Sequence, residues 1–195
     1  MPVQPKQLWM LTGGNGAGKS TFYRKFLQPL GMPFVNADIL AKQLFPDDPE
    51  GNSYTAAQLA ANMRQQLLLD GANFCFETVF SHPSKIDFIA KAKALGYQII
   101  LVLIHVQSSA LNHARISQRV EEGGHFVPEE KVEGRIPRTL INVRAALPLC
   151  DQVRILDNSS ATDPFRQIAT IRQQVLTSHI EPLPDWAAEL LTDLV

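Results

Sequence analysis

The sequence predicts an α/β fold of three layers: a mostly parallel, five-stranded sheet with helices on both faces. Three observations carry this. Short β-type runs alternate with helix-length patterns along the whole chain. One run, QIILVLIHV at 98–106, is almost continuously apolar, as a central strand covered on both sides should be. And 195 residues with 45% hydrophobic content suit one domain with one sizeable core.

The five expected strands are Gln7–Leu11, Pro33–Asn36, Phe74–Val79, Gln98–Val106 and Gln152–Leu156. Between them, Phe22, Phe26 and Leu30 recur at i+4, as do Leu59, Met63 and Leu67, and Ile116 with Val120, marking helices. Gly96 reads as the C-cap that feeds the fourth strand, because glycine enters the left-handed region without a Cβ penalty. Residues 46–52 and 123–128 are loops by composition and flank the expected site. Gly134 and Pro137 predict a break or kink in the helix that starts near Glu129. The tail, about 181–195, carries Pro182 and Pro184 and then a short amphipathic helix around Trp186, expected to pack back on the domain. The whole chain, 1–195, reads as a single domain with a lid at about 115–138.

Composition excludes several classes. Eighteen Lys and Arg against 19 Asp and Glu leave a net charge of −1, which opposes bulk binding to nucleic acid or an anionic membrane. The longest strongly apolar run, Ile99–Ile104, is far short of the ~20 residues of a spanning helix. No signal-like apolar segment opens the chain. Cys75 and Cys150 are too few for a disulfide framework and read as small core residues. The expected compartment is the reducing cytoplasm.

Gly13-Gly14-Asn15-Gly16-Ala17-Gly18-Lys19-Ser20-Thr21 fits GxxxxGK[ST], with a β-run before it and a helical pattern after it. Glycines let successive backbone N–H groups close around phosphate oxygens. The helix beginning near Ser20 aims its positive end at the same place. Lys19 is expected on the β- and γ-phosphates of ATP and the Ser20 hydroxyl on Mg²⁺. This predicts a P-loop nucleotide-binding fold, without saying what happens to the nucleotide.

Asp38 follows the second strand, at the edge where open α/β sheets bind ligands. It suits a base that takes a proton from an attacking hydroxyl, and equally a helix N-cap. Glu77 and Thr78 end the third strand, where a carboxylate can orient Mg²⁺ through water or hold a substrate hydroxyl. No aspartate after four apolar residues and no guanine-reading NKxD pattern occurs, which opposes a motor ATPase or GTPase. Arg115 and Arg119 share a helix face, and Arg135 and Arg138 follow; such guanidiniums suit a transferring phosphoryl group. Gly123-Gly124 supplies a hinge for a lid, with His125 beside it. His105 falls in a buried strand and reads as a core histidine.

Taken in order, GGNGAGKST, FVNAD, FCFET, ALGYQIILVLIHV, ARISQRVEEGGHFVPEEKV and a late DNSS resemble the zeta toxin family of P-loop kinases, across roughly Leu8 to Ser160. The resemblance implies transfer of the ATP γ-phosphate to a hydroxyl, in known members that of UDP-N-acetylglucosamine. It implies Lys19 as the phosphate lysine, Asp38 as catalytic base and Arg119 and Arg135 as phosphate arginines. Asn36, Glu77, Thr78, Arg115 and His125 would line the substrate pocket, and Asn158 would sit beside the adenine. An antitoxin partner is compatible with the family, but its N-terminal docking region has no counterpart ahead of Gln7, so a compact, stand-alone branch is expected. Two other functions stay open: a nucleic-acid end kinase, and a nucleotide-binding interaction module without turnover.

Overall fold

The computed structural model describes residues 5–108, 111, 115 and 129–192, with backbone alone for 129–133. Strand β1 (Gln7–Thr12) is followed by α1 (Lys19–Phe22), which runs on through a π-turn (Tyr23–Leu27) and a 3₁₀ turn (Gln28–Leu30). Then come β2 (Phe34–Val35), α2 (Ala37–Leu44), α3 (Ser53–Leu69), β3 (Phe74–Thr78), α4 (Ser84–Ala94) and β4 (Gln98–His105). The chain continues with α5 (Glu129–Ala146), β5 (Gln152–Asp157), β6 (Arg166–Arg172), β7 (Val175–Ser178) and α6 (Asp185–Leu190).

The sheet order is β2-β3-β1-β4-β5-β6-β7. The first five strands in this order pair in parallel, and these are the five the sequence predicts. β6 and β7 extend the edge as an antiparallel hairpin, making seven strands. β1 lies between β3 and β4, so the chain crosses away from it in both directions. That leaves a crevice at the carboxyl end of β1, where such sheets hold ligands.

Each strand alternates between two cores. Leu8, Met10, Phe74, Phe76, Ile99 and Leu101 face α3, α4, α5 and the tail, while Trp9, Leu11, Cys75, Ile100 and Val102 face α1 with Phe22 and Leu27. The tail closes onto the first core through Ala187, Leu190 and Leu191. Burial drives both free cysteine thiols up, that of Cys150 to about 12, so they are inert core groups.

The helix marked by Leu59, Met63 and Leu67 forms as α3, and one other sequence expectation changes. On α3 the buried stripe is Ala56, Ala60 and Leu68, whereas Leu59 and Met63 are exposed. α3 lies closest to α2, and its small alanines suit such an approach. The break at Gly134 and Pro137 does not form: α5 runs through Pro137. Arg138 Nε donates to Gly134 O (2.8 Å), four residues back on the same helix. Buried Asn142, Val143 and Ala146 dock the following turns. Gly96 takes φ 81° after α4, as its capping position requires.

Candidate active site

The loop between β1 and α1 is built for glycine. Gly13 has φ 145°, and a Cβ there would stand 2.0 Å from the Ile104 carbonyl oxygen. Gly16 and Gly18 also have positive φ, and such a sequence of backbone conformations folds into an anion-holding concavity. Gly18 gives α1 no side-chain cap, so the first-turn N–H groups are left to an anion. Lys19 is only 6% exposed. Its Nζ donates to the carbonyls of Gly13 (3.0 Å) and Gly14 (2.8 Å) and lies 3.7 Å from Glu77 Oε1.

Glu77 draws three elements together. Its Oε2 accepts from Ser20 Oγ (2.6 Å) and from Asn36 Nδ2 (2.9 Å). Asn36, not Asp38, caps α2, its Oδ1 accepting from the Ile39 N–H (3.1 Å). Asp38 therefore sits in the first turn of α2 with its carboxylate exposed on the cleft wall. Thr78, next along β3, projects to the other face; its Oγ1 accepts from the Phe80 N–H (3.0 Å) and braces a turn in which Phe80 takes φ 62°.

One cleft of about 730 Å³ spans both sides of Lys19 and Ser20. Its lining includes Gly18, Thr21, Arg115, Asn158, Pro164 and Phe165 together with Tyr23, Asn36, Asp38, Ile39, Lys42 and Glu77. Asn158 is a buried clamp: its Nδ2 donates to Ala17 O (2.9 Å), its Oδ1 accepts from Phe165 N (3.2 Å) and its carbonyl accepts from Arg115 (2.8 Å). The Phe165 ring packs edge-on against Phe22 and Phe26, at 5.6 and 5.8 Å between centroids. Arg135 reaches the P-loop from α5, donating to Asn15 Oδ1 (3.4 Å). Arg138 turns back to its own helix. Arg119 and His125 lie outside the described residues.

The structure thus brings together Gly13 to Thr21, Asn36, Asp38, Glu77, Arg115, Arg135 and Asn158, and leaves Thr78 on the opposite face. Pro164, Phe165 and Lys42 gave no signal in the sequence, because a loop or surface position acquires its place only from the fold. No group of three or more His, Cys, Asp or Glu side chains among the described residues is arranged to hold a metal. Mg²⁺ fits all the same, since it is ordinarily held by one or two protein oxygens and substrate phosphates, and Ser20 Oγ beside Glu77 offers that donor set.

A model of the AAA domain family matches residues 8–136, from the start of β1 into α5. The chain belongs to this family. The chain is 31% identical over 137 residues to an uncharacterized protein of Haemophilus influenzae, spanning 67% of this chain and 97% of that one. Similar solved structures include one from the PezAT chromosomal toxin–antitoxin system of Streptococcus pneumoniae, with 16% identity, TM-score 0.69, all of this chain and 80% of that one. AvrRxo1-ORF1:-ORF2 with ATP gives 19% identity and TM-score 0.70 over 97% of this chain and 63% of that one. A Chloroflexus aurantiacus protein described as a kinase gives 20% identity and TM-score 0.59 over 80% and 90%. At these identities the likeness is one of fold, a P-loop kinase fold. No helix among the described residues is long and apolar enough to cross a membrane.

Proposed function

We propose that the chain transfers the γ-phosphate of ATP to a hydroxyl of a small molecule, a nucleotide sugar such as UDP-N-acetylglucosamine, in the cytoplasm. The observation that carries this is one cleft holding the phosphate-loop residues Lys19 and Ser20 on its floor and the exposed carboxylate of Asp38 on its wall.

The residues divide the work. Asp38 receives the proton of the acceptor hydroxyl as its oxygen bonds to phosphorus and ADP departs with the electrons of the broken bond. Lys19 and Arg135 spread the charge of the moving phosphoryl group, and Arg119 is assigned to the same task. Glu77 fixes the Ser20 hydroxyl and the Lys19 ammonium relative to each other. Bound Mg²⁺ would neutralise β- and γ-oxygens, with Ser20 as its protein ligand. Arg115, Pro164 and Phe165, which line the cleft beside Gly18 and Asn158, are assigned to the nucleoside of ATP.

Packing disfavours a pure interaction module that docks through its tail, because the apolar face of α6 is spent on the core. An antitoxin-like partner remains a secondary proposal, prompted by the PezAT likeness. The test is ADP release by the purified protein with Mg-ATP and a panel of UDP-sugars. Stimulation by UDP-N-acetylglucosamine supports the reading; ATP bound with a flat panel removes this acceptor.

A further inference from the structure

Asp38 has no tether of its own. Its exposed side chain makes no hydrogen bond or ion pair among the described residues, so the first turn of α2 decides where it stands. That turn hangs on a short edge strand. β2 has two residues, paired in parallel with β3 as Phe34 with Cys75 and Val35 with Phe76. Asn36 and Glu77 come next on their strands, where the backbone ladder has ended, and their side chains take over. Asn36 Nδ2 donates to Glu77 Oε2 at 2.9 Å, and Asn36 Oδ1 accepts from the Ile39 N–H at 3.1 Å. The Asn36 carbonyl accepts from the Leu40 N–H at 3.1 Å. Asn36 is buried, 7% exposed, and its amide is engaged at both ends.

The chemistry of the amide separates two roles. As a helix N-cap, Asp serves as well as Asn, because capping needs only an acceptor. Holding a carboxylate needs a donor, which an ionised Asp lacks. Asn36 does both at once. Glu77 Oε2 also takes Ser20 Oγ at 2.6 Å, while Lys19 lies 3.7 Å from Glu77 Oε1. The hydrogen bonds from Ser20 to Glu77 to Asn36 to Ile39 therefore run from the phosphate loop into the turn that carries Asp38.

We propose that Asn36 is a positioning residue rather than a substrate ligand: it locks the turn carrying Asp38 to the Ser20–Glu77 pair, so that filling the phosphate loop steadies the base. This rests on the kinase reading above and adds how the base is held in place when nucleotide is bound.

The test is hydrogen–deuterium exchange over α2 in the full chain, in mildly alkaline buffer, with and without saturating Mg²⁺ and a non-hydrolysable ATP analogue. It is run on wild type, on Asn36→Asp, and on Asn36→Asp combined with Glu77→Gln. The single variant keeps the cap but sets two carboxylates together with no donor between them. The double variant returns a donor, now on the strand-end side chain. Wild type is expected to exchange at least ~5-fold more slowly when loaded, the single variant to lose this slowing, and the double variant to regain it. No slowing in wild type, slowing kept in Asn36→Asp, or a double variant no better than the single would overturn the joint. Transfer to the UDP-sugar panel is measured alongside, and Asn36→Asp is expected to lower kcat at least ~10-fold with the acceptor KM within ~3-fold. An unchanged kcat would overturn the positioning role. Transfer by wild type, with exchange that Asn36→Asp does not alter, leaves the kinase and removes the joint. Exchange as expected in all three proteins, with transfer to no sugar, leaves the joint and removes the kinase reading.

Discussion

Ser20 Oγ lies 2.6 Å from Glu77 Oε2, a hydrogen bond that joins the first turn after the phosphate loop to the end of β3. The same carboxylate takes Asn36 Nδ2 at 2.9 Å and faces Lys19 at 3.7 Å. One side chain thus registers the loop, the second strand's cap and the third strand against one another. Glu77→Gln keeps the shape and removes the charge. It is expected to weaken the Mg²⁺ dependence of ADP release about 10- to 100-fold, the usual scale for a group that orients a metal ligand. A Mg²⁺ titration at fixed ATP reads this out, and an unchanged midpoint would deny Glu77 the role.

Gly13 admits no side chain. In Gly13→Ala the Cβ would meet the Ile104 carbonyl oxygen at 2.0 Å, and φ 145° is strained for alanine. The loop must move or the fold must give. A loss of at least ~2 kcal/mol is expected, with nucleotide binding lost at temperatures where the variant stays folded. Thermal melts with and without ATP separate the two effects.

α5 is fastened to the turn after β3 by Asn142 Nδ2 on Phe80 O and Thr139 Oγ1 on Val79 O, both 2.8 Å. Asn142→Leu leaves the Phe80 carbonyl buried without its donor, a cost of about 1–3 kcal/mol. Because α5 also presents Arg135 to Asn15, the variant is expected to lose turnover as well as stability. Urea unfolding and ADP release, measured on one preparation, check both.

His105 carries a pH dependence. Burial pushes its imidazole from 6.5 down to about 4, although Asp157 pulls the other way, and the Trp186 ring lies 4.2 Å from it. Between about 4 and 6.5 the unfolded chain binds the proton that the folded one refuses. Stability therefore falls as pH drops through that window and levels off below it, by about 3 kcal/mol in all. His105→Gln should flatten this slope in urea midpoints taken at several pH values, whereas equal slopes in both proteins would show that His105 is not the group responsible.

The phosphate loop, the five parallel strands and the strand-end residues Asn36, Asp38 and Glu77 were legible because each is a local pattern with a local cause. The β6–β7 hairpin was not. Its turn places Gln173 and Gln174 at positive φ without the glycine or asparagine that usually marks such a turn, and β7 is largely exposed. The spacing of Leu59, Met63 and Leu67 marked the helix that forms as α3, although the face it buries runs through Ala56, Ala60 and Leu68. Asn158 shows a different limit: it follows the last parallel strand as expected, but its clamp on Ala17 spans 141 residues and no local pattern encodes that. Pro137 signalled a break that does not form: the helix runs on, docked through buried Asn142, Val143 and Ala146.

The central claim is that Asp38 removes the acceptor proton in a phosphoryl transfer. The most direct measurement is the mass of UDP-N-acetylglucosamine after incubation with Mg-ATP and either wild type or Asp38→Asn, with ATP affinity measured on both. The account predicts a gain of one phosphoryl group with wild type, none with the variant, and nearly equal ATP affinity. An acceptor left unchanged by wild type, or phosphorylated as fast by Asp38→Asn, would contradict it.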